Sequence, residues 1–594
     1  MIRKTIALGL GVTALTPLAA TAQNSLLLDE LVASASLLPI EVNRTGATVE
    51  TLDYGEIARG GPNLSETFSR LPGLSFSANG GLGKSSTLRI RGLSDKYIST
   101  RIDGMDFSDP TQIDAKLNFG TLTAGLADRV EVLKGAQSSL YGANAIAGVV
   151  DITTWRPEAP GASGRAAVEV GSYGTYSGTF SIGQKTDRGE VAMTLTRLST
   201  EGFSSQAGNT EDDGFEQTAL TLSAAYDATD SLRLGFSALY SEGTSEYDGF
   251  VSLAAEEDET RKGVRAFAQI AGGAIDHELS IAYTETERTY RDGVITDYKG
   301  DRTTFAYLGS VEPAAQSALA FGAEWIEENA DFSGGSYDGD SAALFGEWQY
   351  APSDSLDLSF SLRYDDPSDF DAQMTGRVAL AWRPQDDLIV RAVLGTGYRA
   401  PSLYQRFDPT YGNPAIQPEK SRSAEIGIEK RYGEGSFAKA TLFYAEIEDL
   451  IGFDSATFVT EQVPGTTRSQ GIELSGRYAL GATAALFGNY TYTDAEGTGG
   501  RLIRVPRHDL NLGVEAAFAQ KWTGQVTLQH VADQLDGGTS LGDYTVVNAG
   551  LSYAVSDRTE AYLRLENLFD EDYQTSRGFN TAGRSVYVGL RASF

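Results

Sequence analysis

From about Gly164 to the terminal Phe594 the chain keeps one rhythm, apolar and polar residues alternating with a period of two. Leu356, Leu358, Phe360, Leu362 and Tyr364 are interleaved with Asp357, Ser359, Ser361, Arg363 and Asp365. The same alternation recurs at 220–226, 232–240, 319–325, 472–478, 486–492 and in the last ten residues, SVYVGLRASF. Side chains along a strand point alternately to its two faces, so each run makes a strand with one apolar and one polar face. A soluble sandwich alternates in the same way. Three features favour a barrel in lipid: a secretory start, aromatic residues at the ends of the runs, and long strands with polar connections such as 201–217 and 243–262. In lipid such a sheet must close, because an open edge would strand backbone amides and carbonyls. Roughly 430 residues, at about 9 to 11 per strand plus connections, predict about 22 antiparallel strands. A barrel of that size needs something to fill it.

Composition agrees with that reading. Mean hydropathy is -0.23, and no 18-residue apolar run follows the N-terminus, which weighs against a helical membrane protein but not against a barrel. Glycine (66), tyrosine (28) and phenylalanine (26) are plentiful. Arg3 and Lys4, the apolar stretch 6–18 and the small residues Ala20, Thr21 and Ala22 predict a signal peptide over 1–22. The chain has no cysteine, so disulfides, iron–sulfur clusters and thiol chemistry are excluded. A net charge of -32 with three histidines argues against nucleic acid as a partner and favours cations or neutral ligands.

Between 64 and 153 the grammar differs. Asn63 is placed to cap a short helix carrying Leu64, Phe68 and Leu71, ended by Pro72 and Gly73. Short apolar runs follow (Leu88, Ile90; Ile98, Ile102; Val130, Val132), separated by Gly and Asp, which predicts a compact sheet of brief strands. GGLGKSS at 80–86 lacks phosphate-loop spacing, since Ala78 stands where the first glycine is needed, and reads as a hairpin tip. The stretch 107–119 is a second irregular tip.

RIRG at 89–92, IDGM at 102–105, RVEVLKG at 129–135 and SSLYGANAIAGVVDITT at 138–154 together resemble the plug domain of TonB-dependent outer-membrane receptors. GTGYRAPSLYQRF at 395–407, LRLENLFDEDYQTSRGF at 563–579 and the Phe-terminated last strand resemble later blocks of the same family. The resemblance implies an all-β transmembrane protein of the outer membrane, an antiparallel barrel of about 22 strands with an N-terminal α+β plug. Its parts would be a signal peptide (1–22), a TonB box and linker (23–50), a plug (51–157) and a barrel (158–594). It implies a monomer that transports rather than catalyses, with no catalytic cofactor, outer-membrane lipid around it, TonB as periplasmic partner, and no nucleic acid.

The segment 26–36 reads as a mobile extended peptide, and Asp29, Glu30, Leu31, Val32, Ala33, Ser34 and Ala35 are similar to the TonB box. A free strand of that kind pairs through its backbone with the edge of a partner sheet. By the same resemblance the plug apices meet the ligand, which makes Gly81, Leu82, Gly83, Lys84, Ser85, Asp109, Thr111, Gln112 and Asp114 candidate ligand contacts.

TEDDGF at 210–215, EYDGF at 246–250 and ETRK at 259–262 resemble outer loops of cobalamin receptors, which hold calcium. Carried over, the ligands would be Glu211, Asp213, Tyr247, Asp248 and Glu259. Carboxylates from separate hairpins tied by one ion suit the oxygen-rich coordination of calcium. The pattern departs from the family at Ser204, where aspartate is expected, and at two positions where Glu replaces Asp. Cobalamin is therefore the first expectation for the ligand and a ferric siderophore the alternative, for which Lys84, Lys116 and Arg406 offer positive charge. His277, His508 and His530 are scattered, which weighs against haem. The folded unit ahead of the barrel argues against a passive porin, and no nucleophile–base order supports an outer-membrane enzyme.

Overall fold

The computed structural model describes residues 31–32, 34–433 and 435–594. Its 22 long strands run from Gly161–Gly171 to Ser585–Ser593, each antiparallel to its neighbour. The ring closes where the last strand pairs with the first, from Arg165 opposite Ser593 to Gly171 opposite Tyr587. Gly164 and Phe594 exchange backbone hydrogen bonds of 2.9 Å, and the Phe594 ring stacks on Phe180. Closure leaves no open edge, as lipid demands.

The alternation falls on the two faces as predicted. Leu344, Leu362 and Leu394 point outward, whereas Ser361, Arg363 and Asp365 are buried in the lumen. Lumenal charges are matched: Arg363 meets Glu324 at 2.5 Å and Asp365 at 2.8 Å, and Arg399 meets Glu419 at 2.6 Å. Charges held in so confined a space require partners.

One expectation is corrected here. The connection predicted over 243–262 is mostly strand: Leu232–Tyr247 and Ala255–Ile270 pair up to Tyr247 opposite Ala255, leaving only 248–254 as a loop. Above the membrane both faces of a strand meet water, so the hydropathy signal vanishes while the backbone ladder continues.

The plug fills the lumen with two small sheets. Five strands lie in the order Val49–Leu52, Arg129–Lys134, Gly148–Thr153, Ile98–Ile102 and Met105–Asp106, and three more are Leu74–Ala78, Ser86–Ile90 and Leu93–Ser94. Gly148–Thr153 runs parallel to Ile98–Ile102, unlike every other pairing in the plug. Leu88, Ile90, Val130, Val132, Val150 and Ile152 form the fully buried centre. Asn63 caps the helix Leu64–Phe68, accepting from the Ser65 amide at 3.0 Å. A second helix, Tyr54–Arg59, opens on a reciprocal capping box between Asp53 and Glu56.

Plug and barrel are joined chiefly by charge. Arg91 reaches Glu425 at 2.6 Å and Glu473 at 2.9 Å, while Lys134 reaches Glu473 at 3.2 Å and Glu50 at 3.1 Å. Arg564 holds Glu169 at 2.6 Å beside the seam of the barrel.

Candidate functional site

Three regions carry the expected site residues: the chain ahead of the plug, the two plug tips, and the outer loops above them.

Ahead of the plug, Leu31–Val32 pairs with Ile40–Glu41, and Val32 and Ala35 are buried. The Ser34 amide and hydroxyl both donate to Glu131, at 2.9 and 2.5 Å, the Tyr141 hydroxyl donates to the Ser34 carbonyl at 2.7 Å, and Arg377 donates to the Ala35 carbonyl. The mobile peptide expected over 26–36 is thus docked from residue 31 onward wherever it is described. Apart from the neighbouring strand Ile40–Glu41, its partners lie about a hundred or more residues away in the sequence, where no local pattern announces them. Asp29, Glu30 and Ala33 lie outside the described residues.

The first plug tip is wedged under the outer loop 201–214. Gly83 has φ +80°, and a Cβ there would stand 2.2 Å from the Phe215 ring. Gly81 faces the Phe203 ring less tightly, a Cβ there standing 3.2 Å from it. Lys84 is buried and spends its ammonium on the Leu82 and Gly214 carbonyls and the Ser245 hydroxyl, at 3.2, 2.8 and 3.3 Å. Burial pushes its pKa down to about 8. Leu82 is half-buried and Ser85 is exposed.

The second tip is fastened too. Asp109 accepts from the Thr111 amide and hydroxyl and from Arg288 Nε at 2.8 Å, and Arg288 also donates to Thr111 Oγ1 at 2.8 Å. Asp109 and Thr111 are therefore fasteners to the barrel wall, leaving Gln112 half-buried and Ile113 59% exposed at the apex. Asp114 accepts from Gln405 at 3.1 Å.

Above the tips lies a feature that the sequence reading passed over. The block 395–407 turns inward as the helix Leu403–Phe407, capped by Ser402 and Gln405, and Ser402 Oγ donates to the Ile113 carbonyl at 2.7 Å. Its Tyr404 and Phe407 gather Phe332, Tyr337 and Tyr298 into an aromatic wall. The signal was available in LYQRF, whose aromatics flank a capping box, but nothing local indicates that a loop folds back into a lumen.

The acidic loops do not close into the five-ligand set carried over by resemblance. Asp213 accepts from the Ser205 amide at 2.6 Å and Asp248 from the Gln206 amide at 2.8 Å, so these two converge on one corner, and burial there raises the Asp213 pKa. Glu211 is on the same loop, with Oε1 buried and unpartnered. Glu259 instead pairs with Arg261 at 2.8 Å, and Tyr247 packs edge-on against Tyr290. Among the described residues no three His, Cys, Asp or Glu gather as a cation site. The three basic residues are likewise occupied, Lys116 by Asp95 at 3.1 Å and Arg406 by Asp369 at 2.7 Å, in addition to Lys84.

Comparison with known proteins agrees with this anatomy. The family model "TonB dependent receptor-like, beta-barrel" matches residues 154–568, and "TonB-dependent Receptor Plug Domain" matches 41–149. The vitamin B12 transporter BtuB of Vibrio cholerae serotype O1 is 27% identical over 606 residues, spanning 95% of each chain. BtuB of Photobacterium profundum is 26% identical over 592 residues, spanning 95% of this chain and 96% of its own. Among solved structures, the siderophore receptor PirA of Acinetobacter baumannii superposes with a TM-score of 0.80 at 17% identity, covering 92% of this chain and 98% of its own. A mutant of the ferric enterobactin receptor PfeA of Pseudomonas aeruginosa gives 0.80 at 18% identity with the same coverages. At such identities the structural likeness speaks for the fold alone. A closed barrel of 22 strands, a plug locked inside it by buried ion pairs, and family matches spanning nearly the whole chain lead to one conclusion: this protein belongs to the TonB-dependent receptors, the transporters of the outer membrane.

Proposed function

We propose that the ligand carried by this receptor is cobalamin. The observation that carries the reading is the state of the vestibule's cations: Lys84, Lys116 and Arg406, the charges an anionic ferric siderophore would use, are each satisfied by protein partners. What remains at the plug apex is Ile113, half-buried Gln112 and the aromatic wall, a surface suited to a large neutral ligand with an apolar body and amide edges. The vitamin B12 transporters that share 26–27% identity across the chain support the same choice.

We extend the proposal to calcium at the corner where Asp213 and Asp248 converge, with Glu211, whose Oε1 is unpartnered on the same loop as Asp213, joining them only once an ion is bound, since the three do not gather without one. Bound there, the ion would take carboxylate oxygens from both loops and so tie them together. Ordering them beforehand lowers the entropy cost of closing on a ligand.

Calorimetry with cyanocobalamin, in calcium and then in chelator, tests both parts. Tight binding weakened by chelator supports both, and tight binding indifferent to chelator discards the metal. Absence of binding in either condition overturns the cobalamin reading. Coupling through the docked N-terminal segment is tested separately. Deleting residues 28–35 is expected to leave binding intact and abolish uptake, and normal uptake after the deletion refutes the assignment of that segment.

A further inference from the structure

Two neighbouring strands of the barrel part company before they end. Gln373–Gln385 and Leu388–Arg399 pair from Gln385 opposite Leu388 up to Arg377 opposite Gly395, and there their ladder stops. Beyond that point each keeps only its other neighbour: Gln373 to Gly376 continue on Leu356–Pro367, and Thr396 to Arg399 continue on Glu419–Arg431. The short turn at 386–387 joins the paired ends, so the split opens at the outer end of the barrel, where the chain runs on into the vestibule helix. Thr396 Oγ1 stitches its base, accepting from the Gly376 amide at 2.9 Å in place of a ladder carbonyl.

A cleft of about 320 Å³ occupies the split, a size at the lower end of ligand sites. Thr375 and Ser421 line it and are only 3% and 4% exposed, yet Thr375 Oγ1 and Ser421 Oγ have no hydrogen-bond partner. Buried hydroxyls are normally satisfied, so two orphans at one cleft point to an occupant that supplies acceptors. Lys420 and Arg422 stand exposed at the same cleft. Among the described residues neither forms a salt bridge. Glu446, in register with Arg422, is engaged by the Tyr444 hydroxyl at 2.8 Å and by Arg468 at 2.7 Å, and Glu448 stands opposite Lys420 without closing to an ion pair. Elsewhere on the outer wall Lys262 and Lys299 pair with Glu285 at 2.6 and 3.1 Å, and Arg197 pairs with Glu216.

The height of the cleft matters as much as its chemistry. Thr396 opposite Arg422 is the rung immediately beyond Leu394 opposite Ala424, a step of about 7 Å on the same face. Leu394, Ile426 and Met374 are exposed on the outside of the wall. The two cations therefore sit at the upper edge of the lipid-facing band, where headgroups of the outer leaflet lie. We infer that the split between these strands is a docking site for an outer-leaflet lipid with a phosphorylated headgroup. The phosphate lies between Lys420 and Arg422 and accepts from the hydroxyls of Thr375 and Ser421, and the acyl chains lie along Met374, Leu394 and Ile426. A chain of net charge -32 repels anionic lipid over most of its rim, so a cleft offering two unpaired cations is where such a lipid settles. The apolar surface continuous with the cleft favours a lipid over free phosphate. The lipid also fills the gap that the broken ladder leaves in the wall.

The full chain, purified in detergent and held in chelator so that no divalent cation bridges lipid to carboxylates, is titrated with diphosphoryl lipid A. Native mass spectrometry reads retention, and heat-modifiable gel mobility checks folding. One lipid per barrel is expected to be retained, and absence of retention overturns the inference. Lys420→Gln with Arg422→Gln is expected to weaken retention by about tenfold or more, since each cation near a lipid surface contributes separately. Lys262→Gln with Lys299→Gln removes the same charge elsewhere on the rim and is expected to change little. Equal loss in the two pairs, or loss in neither, refutes the site. Thr375→Ala with Ser421→Ala keeps every charge and is expected to weaken retention several-fold, and unchanged retention refutes entry of the headgroup into the split. Equally tight binding of dephosphorylated lipid A refutes the phosphate. Full competition by inorganic phosphate at equal concentration assigns the cleft to the free ion and refutes the lipid.

Discussion

Replacing Arg91 by alanine removes a cation that joins the plug to Glu425 and Glu473 of the barrel wall. The guanidinium lies 2.6 Å from Glu425 and 2.9 Å from Glu473, and all three side chains are at most 7% exposed. Breaking a buried pair by deleting one partner costs about 3 to 5 kcal/mol, because the remaining charge stays desolvated. Here two compensations pull the figure to the lower end: Lys134 still faces Glu473 at 3.2 Å, and Glu425 still accepts from the Thr48 amide and hydroxyl at 3.1 Å. A loss of about 3 kcal/mol, read against a urea dependence of about 1 to 3 kcal/mol per molar for a domain of this size, lowers the plug's midpoint by about 1 to 3 M. Protease resistance of the plug in a urea series measures this directly, since the lipid-embedded barrel persists through the transition. The paired change Arg91→Met with Glu425→Gln, which removes one charge of each sign and leaves Glu473 to Lys134, is expected to recover most of the loss. A midpoint for Arg91→Ala within about 0.3 M of wild type would refute the view that these pairs hold the plug, given the precision of such extrapolations.

Other consequences follow from single positions. Lys84 has a folded pKa near 8 against an ordinary 10.5, so between those values the unfolded chain binds more protons and plug-tip stability rises with pH. Melting curves from pH 7 to 10.5 should show that rise in wild type and lose it in Lys84→Met. Gly83→Ala places a Cβ 2.2 Å from the Phe215 ring at φ +80°. Strain and overpacking there are expected to cost about 2 to 4 kcal/mol and to expose the tip to protease, and an unchanged digestion pattern would contradict the wedge. Leu394 is 63% exposed in the middle of Leu388–Arg399, so Leu394→Arg puts a charge at lipid depth, at about 2 to 4 kcal/mol in folding titrations into vesicles. No effect would place that strand outside the membrane.

Much of this protein was legible in its residues. Alternation as in 356–365 dictates a half-wet strand, repetition of it over more than four hundred residues dictates many strands, and the need to leave no edge in lipid dictates closure. Leu88, Ile90, Val130 and Val132 likewise announced the plug's core, because burial on one face of a short strand leaves a period-two trace. Contacts across the lumen leave no such trace. Lys84, Asp109 and Thr111 look like free polar residues at a tip until Gly214 and Arg288, more than a hundred residues away, take up their hydrogen bonds. Ser34 looks mobile until Glu131 and Tyr141 hold it, and the block 395–407 looks like an ordinary connection until its helix turns into the barrel mouth. The sequence by itself determined the architecture, since periodicity and the chemistry of lipid act residue by residue along the chain. Which polar groups are fasteners was decided by the tertiary structure alone, because a charge in a closed lumen takes its role from whatever partner the opposite wall presents.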